Sequence, residues 1–162
     1  MKTIRKTVNR VNRYNNNNKT NSIKYKINPT EPKSKDGVRI SNTITATFLE
    51  MLNIVKLYHW NTTMYSQHQA TDELYSSLNN SVDEFIEVML GKKEDRVHLI
   101  VHRAKLIDLH SSEQLKDKIH EYRSFLIDLN INFSKDEDGD LLSIRDDIMI
   151  QLNKFLYLLS LS

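Results

Sequence analysis

A chain of 162 residues has room for one domain with a substantial core. Its net charge of +2 conceals a split, because residues 1–40 hold 11 Lys/Arg against Glu31 and Asp36, while residues 41–162 hold 12 Lys/Arg against 19 Asp/Glu. With no cysteine, disulfides and thiolate metal sites are excluded; no apolar run reaches the roughly 18 residues of a membrane span, and no apolar segment of a secretory signal is present, so a cytoplasmic protein is expected.

Residues 1–40 contain the run Asn15 to Asn18, Pro29, Pro32 and few apolar residues, which predicts a disordered basic N-terminal tail. From Ser41 the apolar spacing becomes helical. Ile44, Phe48, Met51, Leu52, Val55, Tyr58 and His59 recur at three and four, predicting a first helix to about Trp60. Asn61, Thr62 and Thr63 interrupt it. Ser66 with Gln69 matches a capping box, and a second helix follows to a stop at Gly91, with Leu74, Leu78, Val82, Phe85 and Met89 as its apolar stripe. Residues 92–112 form a long crossover, in which Val97 to Val101 suits a strand and Ala104 to Leu109 a short helix. Ser111 with Gln114 opens a third helix to about Leu129, carrying Leu115, Ile119, Tyr122, Phe125 and Leu126 inward. After a polar loop the last helix runs from about Asp140 to Leu159, with Leu142, Ile148, Leu152, Phe155, Leu156 and Leu159 repeating helically. The expectation for 41–162 is therefore an all-α domain, a ferritin-like four-helix bundle with a long crossover between the second and third helices.

The second helix also carries a palindrome of metal-ligand side chains. His68 and Asp72 are four residues apart, as are Asp83 and Glu87, and the two pairs share a midpoint between residues 77 and 78. At about 100° per residue the four fall within one stripe roughly 100° wide. One ion cannot span it, since His68 and Glu87 are roughly 28 Å apart along a helix and ligand atoms must lie about 2 Å from the metal. A second copy of the helix, antiparallel about a two-fold axis at residues 77 and 78, brings His68 and Asp72 of one chain opposite Glu87 and Asp83 of the other, twice over. His59 joins this set, because a hairpin loop centred near Thr63 and Met64 sets residue 59 opposite residue 68. Two acids four apart are ordinarily a solvated face, and a His beside a Trp is ordinarily packed. The palindrome together with His59 is what favours a site. Imidazoles plus carboxylates suit iron, manganese or zinc.

The stretch Tyr58-His59-Trp60-Asn61, then His68-x-x-x-Asp72-Glu73-Leu74-Tyr75, then Asp83-x-x-x-Glu87, resembles the Dps family, the DNA-protecting mini-ferritins of starved bacteria. The resemblance implies iron-ligand and catalytic roles for His59, His68 and Asp72 on one subunit and for Asp83 and Glu87 on its neighbour. It also implies oxidation of Fe²⁺ by peroxide or oxygen, storage of ferric iron, and a homo-oligomer with two-fold interfaces that closes into a dodecameric shell. The spacing from His59 to His68 is shorter than the family's and lacks its Gly-Pro segment, so the hairpin loop is expected to differ. The Asn/Lys/Ile-rich composition also resembles proteins of large DNA viruses with AT-rich genomes, which makes virion association the alternative localisation.

Other motifs carry less. His98 and His102 have the spacing of an imidazole pair but no evident third ligand. Asp136, Asp138, Gly139 and Asp140 resemble a calcium loop, yet with Gly139 at the sixth position the first would be Ser134 and the twelfth Arg145, and the pattern fails. Glu-x-x-His, the mark of a di-iron site built inside one subunit, is absent. In the tail, Lys2, Arg5, Lys6, Arg10, Arg13, Lys19, Lys24 and Lys26 are suited to neutralising DNA phosphates without reading sequence; a solubilising tail or a mitochondrial presequence is the rival reading. Tyr58 and Trp60 are expected to be buried at a dimer interface. Two rivals to an iron-oxidising mini-ferritin follow: a non-catalytic DNA-packaging or virion protein with the same fold, and a di-metal oxidase acting on an organic substrate.

Overall fold

The computed structural model describes residues 33–94, 96–97 and 106–161. Within them the protein is all-α, with four α-helices: α1 (Lys33–Asn61), α2 (Tyr65–Lys93), α3 (Ser112–Asp128) and α4 (Gly139–Leu159), plus a 3₁₀ turn at Leu129–Ile131. The residues singled out by helical spacing supply the core: Ile44, Phe48, Met51, Leu78, Phe85, Met89, Leu115, Ile119, Leu126, Ile148 and Leu152 are fully buried. Phe48 of α1 stands edge-on to Phe85 of α2 at 5.2 Å and to Phe125 of α3 at 6.2 Å, and Phe85 meets Phe133 at 5.9 Å. Such T-shaped pairs add to the area they bury. Phe85→Ala is accordingly expected to cost about 3–5 kcal/mol, read as a lower denaturant midpoint with retained helicity in buffer.

Contacts along the helices fix their directions. The hairpin makes α1 and α2 antiparallel. Glu50 of α1 receives Lys118 of α3 at 2.8 Å while Asn61, further along α1, donates to Asp108 just before α3 at 2.7 Å, so α3 also runs against α1. Ser81 accepts from Gln151 at 2.8 Å and Lys92 reaches Asp140 at 2.9 Å, so α4 runs against α2. Arg145 of α4, buried, donates to the carbonyl of Leu126 near the end of α3 at 2.9 Å. Each helix thus has two antiparallel neighbours, in the ring order α1, α2, α4, α3. The diagonal pair α2 and α3 runs in one direction, and the connection from Lys93 to Ser112 joins opposite ends of the structure.

Boundaries differ from expectation where local chemistry was read alone. Helix α1 begins at Lys33, eight residues before Ser41; Val38 is the only apolar residue among 33–39, so periodicity had nothing to register there. Ser66 is not a cap. The chain turns in three residues, Thr62 to Met64, the extended Met64 precedes α2 (φ −98°, ψ 120°) without a side-chain cap bond, and Ser66 lies inside the helix. Gly91 does not end α2 either; Glu94 takes the left-handed conformation (φ 49°). The second capping motif does form, because Ser111 is extended (φ −143°, ψ 157°) and its hydroxyl accepts from the Gln114 N–H. Gln114 turns back to accept from the His110 N–H at 2.7 Å. Residues 106–110 are not helical, which removes the described part of the short helix expected over Ala104 to Leu109. The strand suggested for Val97 to Val101, the pair His98 and His102, and the tail residues 1–32 lie outside the described residues, apart from Val97, which is in no regular element.

Candidate metal centre

Residues 67, 71, 74, 78, 82, 85 and 89 of α2 face the core, and the adjacent face, with His68, Asp72, Asp83 and Glu87, is exposed. That division follows from helical geometry: at a 3.6-residue repeat, a polar stripe lying beside an apolar stripe is held in register by burial of the latter.

The three-residue turn sets the end of α1 level with the start of α2, and His59 stacks on His68 with ring centroids 3.9 Å apart and planes 24° from parallel. Their hydrogen bonds are reciprocal. The His59 Nδ1–H donates to the carbonyl of His68 at 3.0 Å, and the His68 Nδ1–H donates to the carbonyl of His59 at 3.0 Å. A carbonyl oxygen only accepts, so both Nδ1 atoms carry hydrogen, and in the neutral rings both Nε2 atoms keep a free lone pair. Locking a ring through Nδ1 is how proteins present Nε2 to a metal. The His59 Nε2 lies 3.7 Å from Asp72 Oδ1, close enough to share an ion and too far for a strong hydrogen bond. His59 is buried, whereas His68 and Asp72 are exposed and, with Tyr65, Gln69 and Glu73, line an open surface depression.

Two residues not singled out in the sequence support this arrangement. Thr71, fully buried, donates to the carbonyl of Gln67 at 2.7 Å and to that of His68 at 3.0 Å, and its oxygen lies 3.3 Å from the His59 Nδ1. The Gln67 side-chain oxygen accepts from the Tyr58 hydroxyl at 2.7 Å and from Thr62 at 3.0 Å. Burial pushes the Tyr58 hydroxyl above its ordinary pKa, which keeps it a donor. The available signal was a polar pair, Gln67 and Thr71, at the two positions that continue the apolar stripe toward the helix start. Trp60, by contrast with Tyr58, is 67% exposed.

Asp83 and Glu87 do not meet His68 and Asp72 within the chain; they stand exposed on the later turns of α2. Among the described residues of a single chain, no three His, Asp or Glu side chains are arranged to hold a metal ion. The calcium-like loop is occupied differently. Lys92 projects into it, donating to the carbonyl of Glu137 and to Asp140 at 2.9 Å, with Asp138 at 3.3 Å. Bonding to Asp140 raises the Lys92 pKa, and the same bond holds the Asp140 carboxyl below its usual range. This contact therefore favours the folded state at neutral pH and is lost as acid protonates Asp140.

A model of a family of unknown function, DUF5856, matches residues 59–159. The chain belongs to this family. The DUF5856 match begins at His59 and takes in His68, Asp72, Asp83 and Glu87, and it leaves out the whole basic tail, residues 1–40. No curated protein and no solved structure matches the chain. No helix among the described residues is long and apolar enough to cross a membrane.

Proposed function

We propose that this DUF5856 protein is a Dps-like mini-ferritin whose iron-oxidising sites are shared between two chains. The observation that carries the proposal is the reciprocal locking of His59 and His68, which frees both Nε2 atoms, that of His59 lying 3.7 Å from Asp72, on a helix face that continues to Asp83 and Glu87. In an antiparallel pairing of two α2 helices about residues 77 and 78, His59, His68 and Asp72 of one chain would face Asp83 and Glu87 of its partner. The middle of that face suits close approach, since the exposed residues there, Ser76, Asn79 and Asn80, are small and uncharged. The ring order of the helices and the parallel diagonal pair support reading the four helices as a ferritin-like bundle with one long crossover.

Iron is the substrate in this reading. Two imidazoles and three carboxylates accept Fe²⁺ and stabilise Fe³⁺ better, because the carboxylates supply negative charge as the metal's charge rises. Two Fe²⁺ each give one electron to a peroxide, whose O–O bond breaks; with two protons taken up, two waters leave. Ferric product is stored if dimers close into a shell. Anaerobic Fe²⁺ loading followed by peroxide tests this: two Fe²⁺ oxidised per peroxide, by a species of at least dimer mass, are expected. A monomer that leaves the background rate unchanged would overturn the proposal. The contrast between the basic tail and the acidic remainder favours a second reading, a DNA-packaging or virion protein of the same fold, which needs neither Fe²⁺ oxidation nor His68.

A further inference from the structure

Lys56 lies on α1, one turn before His59, and its Nζ sits 3.4 Å from Asp72 Oδ1, the oxygen that is 3.7 Å from the His59 Nε2. The ammonium also stands 4.7 Å from the centre of the Tyr75 ring, on its face. Two contacts from α2 thus draw one lysine of α1 to the carboxylate, and its side chain is 27% exposed against 63% for Asp72. As a stabilising device the ion pair is weak, because exposed pairs of this kind contribute little to folding. Its consequence falls on whatever else binds Asp72.

We infer that Lys56 is a built-in competing cation, one that neutralises Asp72 while the metal centre is empty and must be displaced by an entering divalent ion. The inference rests on the shared metal site proposed above and concerns which cations that site admits. A hard ion such as Mg²⁺ binds through carboxylates and keeps its waters. It gains little from His59 and His68 and has to take the Asp72 oxygen from the ammonium. An ion with affinity for imidazole, such as Fe²⁺ or Zn²⁺, gains two nitrogen bonds and displaces Lys56 at a smaller net loss. Tyr75 gives the displaced ammonium a place to remain, since a cation over a ring face is attracted without a carboxylate. Lys56 acts through Asp72 and is a specificity-determining residue without being a ligand.

The test uses the full chain and calorimetric titration with Zn²⁺ and, separately, Mg²⁺, with helicity checked for each variant. Lys56→Met should bind Zn²⁺ about 10-fold more tightly than wild type and bring Mg²⁺ binding into the measurable range, since removing a neighbouring positive charge favours a cation. Lys56→Arg should stay near wild type. In an Asp72→Asn background, Lys56→Met should change Zn²⁺ affinity by less than about twofold, because the contested oxygen no longer carries charge. Unchanged or weaker Zn²⁺ binding by Lys56→Met, in a protein whose Zn²⁺ binding still depends on His68, would overturn the role of Lys56 and leave the site standing. Zn²⁺ binding indifferent to His68→Ala, or absent throughout, would remove the metal site and the role of Lys56 with it.

Discussion

His68→Ala and Asp83→Ala should each reduce Fe²⁺ oxidation by at least about 100-fold, since removing even an outer-shell partner of a metal ligand typically costs 10–100-fold. Both side chains are exposed in the single chain and neither supports the core, so the variants should keep the helicity and denaturation midpoint of the wild type. The two losses arise differently. Without His68 the proposed site would lose a nitrogen ligand, and His59 would lose the ring it stacks on. Without Asp83 the half-site of His59, His68 and Asp72 remains intact in its own chain, and only the neighbour's contribution disappears. Wild-type rates in both variants would remove the ferroxidase claim; a loss in His68→Ala alone would confine the chemistry to one chain and contradict the shared arrangement.

The second large effect concerns the tail. Deleting residues 1–32, up to the first residue of α1, removes eight Lys/Arg and Glu31, so the net charge falls from +2 to −5. None of the five proposed ligand residues lies in that segment, and iron oxidation should be unchanged. DNA affinity should collapse, because residues 41–162 carry a net −7 and repel phosphates. With eight phosphate contacts available, the intact chain should bind without sequence preference and lose about 10³–10⁵ in affinity between 50 and 200 mM salt. Gel-shift titrations at the two salt concentrations measure this. Undiminished binding by the truncated form would assign the contact to the acidic part of the chain, and no binding by the intact form would leave the tail a solubilising or targeting segment.

Much of the helical organisation was legible because burial imposes a period. Leu74, Leu78, Val82, Phe85 and Met89 announce the inward face of α2, and that face in turn dictates where His68, Asp72, Asp83 and Glu87 stand. The meeting of His59 with His68 was legible for the same reason, since a short hairpin loop and two helical periods determine which residues are level. Capping was less so. Two Ser-x-x-Gln motifs look alike in sequence, but only Ser111 has the extended backbone a cap requires; at Ser66 the three-residue turn has already started α2 one residue earlier. Thr71, Gln67 and Lys56 were not legible because what they do depends on contacts across helices: a buried hydroxyl beside an imidazole, an amide bonded to Tyr58, an ammonium drawn from α1 to α2. No spacing rule within one helix encodes those contacts.

A subunit-mixing measurement bears most directly on a metal site shared between chains. When His68→Ala and Asp83→Ala chains are co-expressed and purified together, a mixed dimer holds one site lacking both residues and one site with both intact. Half of randomly paired dimers are mixed, so the mixture should recover about a quarter of the wild-type Fe²⁺ oxidation rate, although each variant alone is inactive. A mixture no more active than its separate components, with mixed dimers demonstrated by mass, would contradict a site built from two chains.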